Sequence, residues 1–338
     1  MANTIKLKRG TSTPTTSDIS NGEVAIDTSA KKLYVNDSGT VKEIGGGSGG
    51  GVTSDAQFNT VGGTNAGDSF TGTDATDNTL FGYNAGTAIT SGDQNTCVGF
   101  EAGKTISTAA RLTAIGRKAG TDVTGQNNTI VGANTGLGIN SGTGNTIMGV
   151  GACETGNASN VVAVGNGALA ACTTTSTAVG VNAGKSITNG GNSTFIGYKA
   201  GENTTGNSNT IIGDIAFTTT NTGSQNTAVG YEALTSYADT GANPYQGSVA
   251  VGRRSLMSAT TGNHNVSVGR LSAYSVSTGC ENTILGALAG YGTDGTGALT
   301  TGSNNILIGY QALSSAVGVS NEVTIGDTNI TKFRIPGL

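Results

Sequence analysis

From Gly82 to Gly326, fifteen glycines each end the same five-residue pattern, at intervals that are mostly 16 or 17 residues. The series runs Gly82, Gly99, Gly116, Gly132, Gly149, Gly165, Gly180, Gly197, Gly213, Gly230, Gly252, Gly269, Gly286, Gly309 and Gly326. With each glycine as position 0, position −1 is apolar in every copy, position −3 is Thr, Val or Ile (Thr in ten copies), and position +3 is usually Ala. β-branched residues favour the extended pleat, and a glycine can take the φ > 0 turn that ends it. One strand signal and one turn signal per short period predict an all-β fold, a β-solenoid in which one copy is one rung. Fourteen intervals stacked at about 4.8 Å would make a rod about 70 Å long.

Position −4 is often Asn, as in Asn78, Asn95, Asn128, Asn209 and Asn282, where the side chain can satisfy turn backbone or bond to its copy on the next rung. The expectation is a structural Asn ladder. Position −2 decides assembly. It reads Leu80, Cys97, Ala114, Ile130, Ile147, Ala163, Ala178, Phe195, Ile211, Ala228, Ala250, Ser267, Ile284, Leu307 and Thr324, apolar in thirteen of fifteen copies. In a strand, −3 and −1 share one face and −2 takes the other. With −3 and −1 filling the coil, the −2 column would leave a long apolar ladder in water, more than soluble monomers tolerate, so it is expected to pack against copies of the same chain.

The chain divides into five stretches: residues 1–44, a small module; 45–52, a Gly/Ser linker; 53–77, a degenerate first rung or cap; 78–326, the regular repeats; and 327–338, a segment expected to cover the open end. Composition narrows the function. The 57 glycines and 11% charged residues could signal disorder, but a disordered chain would not keep the apolar column. A net charge of −4 without a basic stripe gives no case for nucleic acid. Neither a signal-peptide core in the first residues nor an apolar run of about 18 residues is present, so export by a leader and a membrane helix are not expected. Cys97, Cys153, Cys172 and Cys280 take different places in the repeat, as incidental apolar residues in a chain assembled in a reducing cytoplasm. A single histidine, His264, leaves little for a metal site or a Ser-His-Asp triad, and no cofactor is expected.

The unit Asn/Ser-Thr/Val-x-Val/Ile-Gly-x-x-Ala, over 78–326, resembles the head repeat of trimeric autotransporter adhesins, the YadA-like left-handed parallel β-roll. That resemblance implies a homotrimer with its inner strands towards the threefold axis. The repeat here is two or three residues longer than that family's usual unit. Arg9-Gly10-Thr11, Gly22-Glu23-Val24-Ala25-Ile26-Asp27 and Lys32-Leu33-Tyr34-Val35-Asn36-Asp37 resemble the N-terminal module of bacteriophage fibre and tropism-determinant proteins. The final stretch from Asn321 to Leu338 is similar to the segment that often precedes a self-cleaving chaperone in phage fibres. Together these resemblances imply a virion fibre, made in the host cytoplasm. Residues 1–44 would attach it to other virion proteins, through Arg9, Gly10, Thr11, Glu23, Asp27 and Tyr34.

Recognition is expected on inserted loops, because loops on a rigid scaffold commonly hold binding residues. Gly230 to Gly252 and Gly286 to Gly309 are long rungs of 22 and 23 residues. They offer Tyr237, Asp239, Asn243 and Tyr245, with Pro244 and Gln246, and then Tyr291 and Asp294, a chemistry suited to sugars. Arg253, Arg254 and Arg270 form a second candidate, for phosphate or carboxylate on a host glycan, or else are surface charges paired with neighbouring acids. Tyr83, Phe100, Tyr198, Tyr231 and Tyr310 at +1 read as packing on the rod. Gly99 to Thr105 and Gly180 to Ser186 imitate a phosphate loop but have three residues between their glycines where four are needed. The host partner is thus a surface glycan or protein.

Three alternatives stand beside the fibre. A glycan-degrading tailspike-type enzyme would need paired carboxylates, yet no column carries acids on consecutive rungs. A bacterial surface adhesin shares the repeat. Ice binding would need an exposed Thr column, whereas the −3 column is expected to be buried with −1.

Overall fold

A computed structural model describes residues 8–29, 32–44, 52–70, 73–171, 173–188, 191–219, 222–237, 247–292 and 297–334. Among these the fold is all β, with no helix. The first four strands, β1 (Lys8–Gly10), β2 (Val24–Asp27), β3 (Lys32–Asp37) and β4 (Thr40–Ile44), form a small sheet in that order. β1 and β2 are parallel and the other two pairs antiparallel. None of these strands contacts those that follow.

A short β5 (Thr53–Ser54) then lies antiparallel to β6 (Thr60–Gly62), and from β6 to β21 (Val323–Ile325) sixteen strands stack parallel and in register. Each strand contributes three or four residues, so Thr79, Leu80 and Phe81 pair with Thr96, Cys97 and Val98, which pair with Thr113, Ala114 and Ile115. The ladder is open: among the described residues no pairing joins β21 to β5. This is the predicted solenoid, with one strand per turn, and the worn copy at Asn59–Gly63 pairs in register with the next.

The column glycines have a second reason to be glycine besides their turn. From Gly82 to Gly309 their φ lies between 123° and 147°, outside what L side chains accept easily. From Gly63 to Gly286, a Cβ would also stand 2.2–2.6 Å from the carbonyl oxygen of the next column glycine. Rung stacking therefore leaves no room for a methyl group.

The side-chain faces are the reverse of the sequence expectation. Position −2 points into the coil, with Leu80, Cys97, Ile130, Phe195 and Ala228 at 0% exposure, while −1 and −3 point out. The Asn column sets this parity. Positions −4 and −2 share a face of the strand, and the asparagines are buried. Asn78 Oδ1 accepts the Asn95 backbone N–H at 2.9 Å, Asn95 Oδ1 accepts that of Leu112 at 3.0 Å, and Asn95 Nδ2 donates to the Ala109 carbonyl at 2.8 Å, closing the turn. Here the ladder is as expected, a structural device.

Beside −2, the interior holds positions +3 and +7, such as Ala85 with Ile89 and Ala102 with Ile106. Volumes are exchanged within a rung: Phe195 shares its turn with Thr204, and Ala228 shares its turn with Tyr237. A Cβ on Gly201 would lie 2.3 Å from the Phe195 ring, so this glycine makes room for the largest −2 side chain.

Acids close both ends of the Asn ladder. Asp55 accepts the Asn59 backbone N–H at 2.8 Å and its Nδ2 at 2.9 Å, in place of a preceding asparagine. Glu322, at −4 on the last rung, takes the Asn305 Oδ1 bond on its own N–H, and its carboxylate accepts from Ser315 N and Thr324 Oγ1, both at 2.9 Å. Past it, Ile330 folds against Gly326, while Phe333 is exposed.

Gly180→Ala should destabilise the rod by about 3 kcal/mol, from backbone strain of ~1–3 kcal/mol and overpacking of ~1–3 kcal/mol. Gly191→Ala, where φ is ordinary and the nearest atom is 3.4 Å away, should be neutral or stabilising; denaturant midpoints compare the two. Asp55 is held below the usual carboxylate range chiefly by the Asn59 side chain, and Glu322 chiefly by Ser315. Because both folded values are depressed, the stabilisation is complete above about pH 5, beyond the ordinary carboxylate range, and is lost as pH falls through the lowered values. Hydrogen exchange at acid pH should show β6 and β21 loosening before the central rungs. Asp55→Asn should abolish the pH dependence at β6.

Candidate interaction surfaces

The outward face of the ladder is three columns wide. Position −3 supplies Thr, Val or Ile, −1 supplies Val98, Ile115, Met148, Ile196, Ile308 and their copies, and +1 supplies a varied column. The −1 residues are as much as 36–51% exposed. In an in-register sheet each is still flanked by its neighbours above and below, so this exposure means that the outer side of the whole column is open. An apolar strip of this length lies beyond the usual monomer surface. The outward Thr column likewise removes the burial on which ice binding was set aside.

At +1, Tyr83, Phe100, Tyr198, Tyr231 and Tyr310 are 38–58% exposed. Their packing is local: Tyr83 and Phe100 stack at 5.3 Å with planes 12° apart, turning ring faces to each other and edges to water. Lys199 lies over Tyr198 at 5.5 Å and pairs with Glu202 at 3.3 Å. Lys104, in the first phosphate-loop imitation, is held by Glu101 at 2.8 Å.

The predicted loop residues separate. Tyr237 is a core residue and not a receptor contact: it is 1% exposed and packs against Phe217 with ring centroids 5.7 Å apart. It stands at +7, the interior column of Ile89 and Ile106, and Gly223 clears space for its ring. Counting from Gly230 would have shown this. Tyr291 is half-buried, edge-on to Tyr274 at 5.3 Å. Asp239, Asn243, Pro244, Tyr245, Gln246 and Asp294 lie outside the described residues.

The three arginines also divide. Arg254 Nε bonds to Glu232 of the preceding rung at 2.5 Å, the structural pairing. This bond raises the guanidinium pKa; against the opposing effect of burial, Arg254 and Tyr231 hold the Glu232 carboxyl below its ordinary range. Arg253 and Arg270 are exposed on consecutive rungs. Arg253 Cζ is 5.8 Å and Arg254 Cζ 5.9 Å from the Tyr231 ring centroid, within cation–π range. Tyr231 therefore belongs with the arginines, and Tyr274 lies within electrostatic reach of Arg254.

In the N-terminal module Arg9, Gly10 and Thr11 are exposed, beside a cleft of about 300 Å³ lined by Lys8, Arg9, Pro14, Asp18, Ile19 and Ile26. Glu23 pairs with Lys8 at 2.8 Å, and that bond leads in lowering its carboxyl pKa. Asp27 and Tyr34 are buried, so they support the module from within and cannot themselves face a partner. The described residues hold no helix able to cross a membrane and no cluster of three or more potential metal ligands.

No family model, curated protein or solved structure matches the chain.

Proposed function

We propose that this chain is a homotrimeric virion fibre of a bacteriophage. In this reading its left-handed coils associate through the −3 and −1 columns, residues 1–44 attach it to other virion proteins, and its outer surface meets a glycan or protein of the host cell. The observation that carries the proposal is the outward −1 column, apolar in every copy although it faces away from the core. A column kept apolar on the outside needs a covering surface, and a second and third copy of the same ladder supply one in matching register. The trimer axis therefore moves from the −2 column, where sequence reasoning placed it, to −1. The N-terminal resemblance supports a virion over a bacterial adhesin.

A second reading draws on the Thr column. Exposed Thr beside apolar residues at a regular spacing can order water, as an ice-binding face requires. The −1 side chains vary from Val to Met and Phe, which roughens that face. A trimer would cover it.

Light scattering on the purified chain separates the readings. We expect a mass near three times 33.2 kDa. Ile196→Lys with Val229→Lys should give folded monomer, since like charges would gather at the apolar interface. A monomeric wild type that produces thermal hysteresis would overturn the fibre in favour of ice binding. Adsorption of the wild type to host cells tests attachment itself.

A further inference from the structure

Several charged side chains of the rod have an identified partner. Lys104 and Lys118 share Glu101, Lys199 has Glu202, Arg254 has Glu232, and Arg117 donates to Asn134. Arg253 and Arg270 differ. Both are exposed at +1 on adjacent rungs, and neither lies within ion-pair distance of an acid among the described residues. In-register stacking places such neighbours about 4.8 Å apart along the rod, so two like charges are held side by side; Glu232, the acid that also feels Arg253, is already bonded to Arg254. The chain as a whole is acidic, at −4, which makes this a local positive island. Tyr231 lies beneath it in the same column, with Arg253 over its ring at 5.8 Å, and the Arg254–Glu232 pair fixes the edge without adding net charge.

The column cannot lie at the centre of an assembly, because a threefold axis would bring three copies of each arginine together, desolvated and unpaired. It belongs at the water-facing rim. Among the described residues the two clefts of note lie elsewhere, in the N-terminal module and at the last rung, and like groups repeated on successive rungs match an extended chain lying along the rod.

We propose that Arg253 and Arg270, with Tyr231, form a subsite for an anionic saccharide, with carboxylate or phosphate groups held by the guanidinium forks and a sugar ring against the Tyr231 edge. As a host ligand this saccharide rests on the fibre reading; the binding chemistry does not. The acidic chain repels any polyanion, and a nucleic acid strand, with a charge on every residue, is disfavoured more than a sparsely charged saccharide.

The test is calorimetric titration of the full chain with an oligogalacturonate, a glycerol-phosphate-linked oligosaccharide, a neutral malto-oligosaccharide and single-stranded DNA. At least one anionic saccharide should bind, more weakly as salt rises, and the neutral one should not; which anion binds distinguishes carboxylate from phosphate. Arg253→Gln with Arg270→Gln should weaken binding at least tenfold with unchanged melting, and Arg117→Gln should leave it unaltered. Equal binding of the neutral oligosaccharide, tighter binding of DNA, or full affinity in the double variant would overturn the subsite. Host-cell adsorption by a chain that binds none of the saccharides would remove the subsite and leave the fibre standing. Saccharide binding without any cell adsorption would do the opposite.

Discussion

The contact on which the whole rod depends is backbone against backbone at the glycine column. With the space for a Cβ occupied at 2.2–2.6 Å by the next carbonyl, successive turns sit as close as peptide units can. Close stacking at that corner brings the three-residue strands into register. Register in turn aligns every other column, so Asn meets Asn, threonine meets threonine, and an apolar side chain always has its copy above and below. Strands this short could not specify pairing alone. The corner does it for them.

Much of this was legible in sequence because each rung repeats the same demands. Period, strand position, turn residue and the Asn ladder follow from spacing and residue type. The error concerned facing, and the information to avoid it was present. A buried Asn column at −4 and a column at −2 lie on the same side of a strand, so assigning the ladder to the interior already assigns Leu80 and Phe195 to it. Uniform apolarity at −1 suggested a core, but uniformity also marks a surface that must match itself. Tyr237 shows the same lesson locally: its place in an insertion suggested recognition, whereas its count from Gly230 placed it inside. The Glu232–Arg254 bond was harder to read. It depends on which side chain of two neighbouring turns bends along the rod, and a period gives positions and not directions.

Interior and exterior follow different rules. Inside, size is traded in the turns with the largest side chains, Phe195 with Thr204 and Tyr237 with Ala228, and the backbone path is preserved. Outside, +1 is free to be aromatic, basic, acidic or small from one copy to the next, because nothing in the stacking depends on it. The constant frame and the variable column are therefore separable, and surface chemistry can change without a change in fold.

The Asn side chains all point the same way, each Oδ1 accepting from the rung that follows. The backbone bonds of a parallel sheet run in both directions between strands, but this side-chain series does not. The −4 column forms three runs, restarting after Leu112 and Val161, whose side chains offer no acceptor, and in the third the hydroxyls of Ser176, Ser193 and Ser248 stand in for asparagine. Each unbroken stretch of asparagines is a line of aligned amide dipoles in a dry interior, polarised like the peptide units of a helix. Its donor end is the electropositive one, and in the first run that end meets the Asp55 carboxylate. The rod thus has an electrical direction as well as a chain direction.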